Sequence, residues 1–90
     1  MDYWQRVRHL TGKTFHTVGR GKEFKLDTVQ DNYLVVIPHE GVPRVIERES
    51  FERGVALGLG DNNLTLARLR EALPQNRDLS YLLAILREVT

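Results

Sequence analysis

Five cations spaced across a strand-rich segment are the side chains of this chain best suited to bind a ligand. They are Arg20, Lys22, Lys25, Arg44 and Arg48. Guanidinium and ammonium groups bind phosphate oxygens without reading any base, so these residues predict a nucleic-acid-binding surface if folding brings them to one side of a sheet. The alternative that the sequence leaves open is an ordinary solvated surface of mixed charge.

The segment Gly19-Arg20-Gly21-Lys22 carries two of these cations. Its glycines can adopt positive φ without a steric penalty, which predicts a tight turn between two strands. The N–H groups of such a turn can hold an anion. The segment lacks the third glycine of a dinucleotide fingerprint and the Gly-Lys-Ser/Thr ending of a P-loop. A plain hairpin turn is therefore the favoured interpretation.

Candidate catalytic and metal-binding residues are few. Glu23-Phe24-Lys25 has the Glu-x-Lys form of metal-dependent nuclease sites, but Asp2 is the one acid that precedes it. The histidines His9, His16 and His39 lack the i, i+4 spacing that places two zinc ligands on one helix face. Neither serine has a glycine elbow around it. We predict a chain that is not an enzyme, with no catalytic residues, no metal site and no cofactor.

The composition predicts one folded intracellular domain. The chain has 90 residues, of which 41% are hydrophobic and 28% charged, and this balance is typical of a single small core. The absence of cysteine excludes disulfides and thiolate metal sites and is compatible with the cytoplasm. No apolar run approaches the length of a membrane span, so we expect no membrane partner.

Charge is distributed unevenly along the chain. The formal net charge is +1, but residues 1–26 hold six cations against two acids, whereas residues 27–90 hold seven arginines against ten acids. The overall field is too weak to identify a nucleic-acid-binding protein. This segregation nevertheless predicts one basic and one acidic region on the surface.

Periodicity predicts the elements that must position these side chains. Apolar residues recur at helical spacing from Tyr3 to Leu10, and a period of two from residue 13 to residue 48 predicts three or four strands. Residues 33–37 are apolar on both faces, which predicts the central and most buried strand of the sheet. Residues 44–48 predict a mixed edge strand, whose charges discourage aggregation.

Three helical patterns follow, over residues 49–59, 64–73 and 79–89. The last pattern has little polar face, so we expect either the central core helix or a dimer interface. That shortage of polar residues also disfavours a helix-turn-helix reader of DNA. The predicted fold class is α+β, with an N-terminal helix, a three- or four-stranded antiparallel sheet, and two or three C-terminal helices packed on one face.

Four short patterns in the chain resemble small uncharacterised bacterial α+β modules. They are Gly12-x-x-Phe15, residues 24–37, Arg44-x-Ile46-x-Arg48-x-x-Phe51-Glu52 and Ser80-Tyr81-x-x-Ala84-Ile85-Leu86. Some of these modules accompany restriction or other DNA-processing proteins, so the resemblance implies a nucleic-acid partner. It covers nearly the whole chain and transfers no active site.

Two functions follow as hypotheses. The first is a small binding or adaptor module that contacts nucleic acid through a basic sheet face formed by the five cations. The second is a protein-protein interaction or homodimerisation module that uses Leu82, Leu83, Ile85 and Leu86 of the last helix.

Overall fold

The computed structural model describes residues 2–58 and 64–89. It shows a four-stranded antiparallel sheet with helices packed against it. The elements follow in the order α1 (Tyr3–Arg8), β1 (Thr14–His16), β2 (Glu23–Val29), β3 (Tyr33–Pro38), β4 (Arg44–Glu47), α2 (Arg48–Gly58), α3 (Leu66–Ala72) and α4 (Leu79–Val89). This architecture confirms the predicted α+β fold class.

Short turns make the strands neighbours in sequence order, β1-β2-β3-β4. In the first turn, Gly19 and Gly21 have φ values of 93° and 66°, which confirms the tight turn predicted there. Thr17 closes that turn, because its N–H donates to Lys22 O over 2.9 Å and its Oγ1 accepts from Lys22 N over 2.9 Å. A register shift between Leu26 and Thr28 marks a bulge in β2.

The helices cover one face of the sheet, which we call the inner face. Six residues of this face are buried and join one hydrophobic cluster with the helices: Phe15, Phe24, Leu26, Leu34, Val36 and Ile46. The other, outer face stays open to solvent. β3 lies between β2 and β4, which confirms its predicted central position, although Tyr33 on its outer face is 41% exposed. An apolar side chain on an uncovered face produces the same sequence pattern as one inside the core.

Helix α4 is the central core helix. It packs against α1, α2, α3 and β1, and its apolar residues are buried within the chain. Leu82, Leu83, Ile85 and Leu86 are each at most 1% exposed. These side chains leave no apolar patch on α4 for a partner, so a dimer of the folded chain needs a different surface.

Gly54 lies inside α2 and is buried. Glycine costs a helix interior about 1 kcal/mol relative to alanine. The structure explains its presence, because a Cβ at this position would lie 2.5 Å from Leu86 Cδ1 and 3.5 Å from Leu69 Cδ2. The missing side chain thus allows α2 to approach α3 and α4 closely.

Two helix boundaries carry physical detail. α1 ends at Arg8, two residues before the predicted end, because a turn through Gly12 at φ 91° leads into β1. α3 begins after Thr65, whose Oγ1 accepts a hydrogen bond from Arg68 N over 3.3 Å. The predicted end of α2 at residue 59 lies outside the described residues.

None of the helices within residues 2–58 and 64–89 has the length and apolarity needed to cross a bilayer.

Candidate functional site

The five predicted cations do not meet on one face of the sheet. Arg20 and Lys22 lie in the turn between β1 and β2. Lys25 pairs with Thr14 and Ile37, which places it on the outer face, whereas Arg44 pairs with the buried Val36 and therefore lies on the inner face. Arg48 is the first residue of α2, at the far end of β4. The prediction of a single basic sheet face is therefore wrong for these side chains.

Arg44 also has a charge partner in the helical layer. Its Nη1 lies 3.8 Å from Asp78 Oδ1, and the Asp78 side chain is only 16% exposed. Asp78 directly precedes α4, so this contact connects the start of β4 to the core helix. The positive charge of Arg44, which we predicted to bind a ligand, is thus partly offset by the carboxylate of Asp78.

Arg48 holds three parts of the fold together. Its Nε donates to Glu52 Oε1 over 2.9 Å, its Nη1 donates to Asp31 O over 3.1 Å, and its guanidinium carbon lies 5.2 Å from the centre of the Trp4 ring. Trp4 Nε1 in turn donates to Gln30 O over 3.0 Å. Arg48 therefore links α1, the turn between β2 and β3, and α2, and its role in the structure is to stabilise this junction.

Three of the five cations remain exposed in the hairpin of β1 and β2: Arg20, Lys22 and Lys25. None of the three makes an ion pair with another described residue. The outer face beside them is not basic, because Glu23 and Glu47 also project from it. A phosphate ligand would therefore meet the hairpin and not the whole sheet.

Asp2 does not complete the nuclease-like Glu23-Phe24-Lys25 pattern. Asp2 Oδ1 accepts a hydrogen bond from Gln5 N over 2.8 Å and so caps α1. Glu23 Oε2 lies 4.0 Å from His39 Nδ1. In the described ranges, no three histidines or acids come together as potential metal ligands.

β4 is the last strand of the sheet, which confirms the edge strand predicted for residues 44–48. The sequence analysis did not identify its free edge as a binding site. Arg48 N donates to Asn32 O over 2.9 Å, and the pairs Ile46 with Leu34 and Arg44 with Val36 continue the same register. Since hydrogen-bonding direction alternates along an antiparallel strand, Val45 turns its N–H and C=O away from β3. The N–H of Glu47 points the same way. Among residues 2–58 and 64–89, β4 pairs only with β3, so these groups face an edge that no other described strand covers.

Two grooves border this edge. One, of about 710 Å³, runs between β4, α2 and the loop before α4. The other, of about 1010 Å³, is lined by Tyr33, Val45 and Glu47 of the sheet together with Glu49 and Arg53 of α2. We call the free edge of β4 with these two grooves the β4 edge site.

Charge and apolar surface are both present at the β4 edge site. Val45 is 59% exposed and is paired with Val35 of β3 on the outer face. Arg44 and Arg77 line the groove with Asp78 where β4 begins, so one cation is in excess there. Glu47 and Glu49 line it with Arg53 where β4 ends, so one acid is in excess there. The site can therefore offer backbone hydrogen bonds, an apolar contact and two ends of opposite charge.

Comparison with protein-family models, with curated proteins and with solved structures finds no match to this chain. The resemblance to bacterial modules consequently stays a prediction. The function has to be inferred from the surfaces of the molecule itself.

Proposed function

We propose that this chain is a protein-binding module whose ligand is an extended segment that pairs with the free edge of β4. The proposal depends on one observation: the N–H and C=O of Val45 and the N–H of Glu47 point away from β3. Backbone groups of this kind pair with a strand of another chain when one is supplied, as in other cases of strand addition.

The side chains around the edge support the same ligand. Val45 and Tyr33 are both exposed on the outer face, and alternate side chains of an added strand would pack against Val45. The grooves on either side give room for the remaining side chains of the ligand. The ligand is therefore an extended peptide with a β-branched residue opposite Val45.

The length of β4 limits the strength of this interaction. The strand has four residues, with Pro43 before it and α2 after it. Three backbone groups face the ligand, and each such hydrogen bond contributes about 0.5–1.5 kcal/mol net. Short edge strands of this kind also protect a sheet from uncontrolled aggregation. We therefore expect weak, reversible binding.

A displayed library of random peptides tests this proposal, with the native protein immobilised at low density and the variant Val45→Pro as the counter-target. Proline at position 45 removes a donor that β3 does not use, so the fold should persist. We expect enriched peptides of alternating β-branched residues that lose binding to Val45→Pro. The control Val42→Ala changes a valine that is 66% exposed outside the strand, and it should keep all of them. Peptides that bind Val45→Pro as well as the native chain would contradict the proposal.

A second candidate function is contact with nucleic acid through the hairpin of β1 and β2. It is favoured by the exposure of Arg20, Lys22 and Lys25 and by their lack of an ion pair with any residue that the structure describes. With three phosphate contacts, a plot of the logarithm of the association constant against the logarithm of the salt concentration should have a slope of about −2.7.

Mobility-shift titration of a mixed-sequence duplex tests the second candidate at low and moderate salt. We expect the double variant Lys22→Glu/Lys25→Glu to abolish the shift. The matched control Arg70→Glu/Arg77→Glu changes the net charge equally on α3 and the following loop, and it should retain most of the affinity. No shift at low salt, or equal losses in the two variants, rules this candidate out.

A further inference from the structure

The β4 edge site is complementary to itself. Its two ends carry opposite net charges, because Arg44 and Arg77 outnumber Asp78 at one end and Glu47 and Glu49 outnumber Arg53 at the other. A second β4 that lies antiparallel to the first reverses this order, so each basic end meets an acidic end. From this we infer that the strand added to β4 is β4 of a second copy of the chain, in a two-fold symmetric dimer. This inference rests on the proposed function and names its ligand.

The backbone selects the register of this pairing. Val45 forms a hydrogen-bonded pair with Val45 of the second copy, and Glu47 N–H donates to the carbonyl of Pro43 of the second copy. Pro43 has no N–H to return. The Glu47 carbonyl therefore receives no hydrogen bond from the strand of the second copy.

Charge disfavours the neighbouring registers. A shift that pairs Val45 with Glu47 of the second copy sets Arg44 opposite Arg48, and a shift that pairs Val45 with Pro43 sets the two Arg44 residues opposite each other. Like charges directly opposite destabilise a strand pair. A shift by one residue fails for another reason, since the N–H of Ile46 already points to β3. The register centred on Val45 remains.

Helix α2 has the same kind of symmetry. Glu49 and Arg53 form an i, i+4 ion pair over 3.1 Å, and both line the groove beside the edge. When two copies of β4 pair around a two-fold axis, the two α2 helices approach each other from opposite directions. Each Arg53 can then contact Glu49 of the second copy as well as its own, in an isologous arrangement.

Sedimentation equilibrium on the full chain tests the dimer. The native protein should shift from 10.4 kDa toward twice that mass as its concentration rises from micromolar to millimolar. Val45→Lys and Val45→Glu should each raise the dissociation constant at least about ten-fold, because like charges then meet on the symmetry axis. An equimolar mixture of the two variants should associate more tightly than either alone, since position 45 of one copy faces position 45 of the other.

Thr14→Lys and Thr14→Glu serve as matched controls, because Thr14 is exposed and lies on β1, at the opposite edge of the sheet from β4. These variants should leave the dissociation constant of the native dimer unchanged, and mixing them should have no effect. A native chain that stays monomeric to millimolar concentration overturns the inference, and so does a mixture of the Val45 variants that associates no better than its components. The peptide selection on dilute, immobilised protein is independent of this result, so it can support strand addition at β4 even where the second copy fails.

Discussion

Leu86→Ala should lower the free energy of unfolding by about 3–5 kcal/mol, which is the usual cost of truncating a fully buried leucine. Leu86 is 0% exposed in α4 and lies against Gly54 of α2, where the close approach of the two helices leaves little freedom for the cavity to collapse. A domain of this size has a total stability of roughly 5–13 kcal/mol. The substitution should therefore remove roughly a quarter or more of it.

Urea unfolding at two protein concentrations measures this effect and separates a core helix from an interface helix. Since α4 is buried within the chain, the loss caused by Leu86→Ala should be the same at both concentrations. The control Val42→Ala at an exposed position should change stability by less than about 0.5 kcal/mol. A loss below about 1 kcal/mol, or a loss that depends on protein concentration, would show that α4 is not the internal core helix.

The architecture could be predicted because local signals agreed with one another. Glycines at positions 19 and 21 define a tight turn, and short turns make consecutive strands antiparallel neighbours. The bounds of α4 coincide with the predicted helix over 79–89 because its apolar run is long and uninterrupted. The choice between core and interface for α4 could not be made, since both environments bury the same side chains.

The candidate site could not be predicted from the sequence because it depends on the register in which the strands pair. Lys25 and Arg44 lie on opposite faces of the sheet, and a bulge after Leu26 and the turn before β4 separate them along the chain. The sequence of the bulge and of the turn does not show how each one changes the direction of the side chains that follow. Val45 and Ile46 are adjacent and equally apolar, yet Ile46 is 1% exposed and Val45 is 59% exposed. Alternation separates the two faces of a strand but does not say which face the helices cover.

Gly54 shows the same limit in a helix. Its sequence context suggests only a weak point in α2, because glycine has a low helix propensity. In three dimensions it is the site where α2 contacts Leu86 and Leu69 without a side chain between them. A propensity scale cannot carry this information, since the contact involves helices that are distant in sequence.

Amide hydrogen exchange, resolved residue by residue, tests the free edge of β4 most directly. In dilute solution the N–H of Val45 should exchange at least about 100-fold faster than that of Ile46, because register directs Ile46 N–H toward β3 and Val45 N–H toward solvent. Raising the protein concentration should slow exchange at Val45 and Glu47 as a second copy adds its strand. If Val45 is protected as well as Ile46 in dilute solution, the edge already has a partner within the chain, and strand addition at β4 is contradicted.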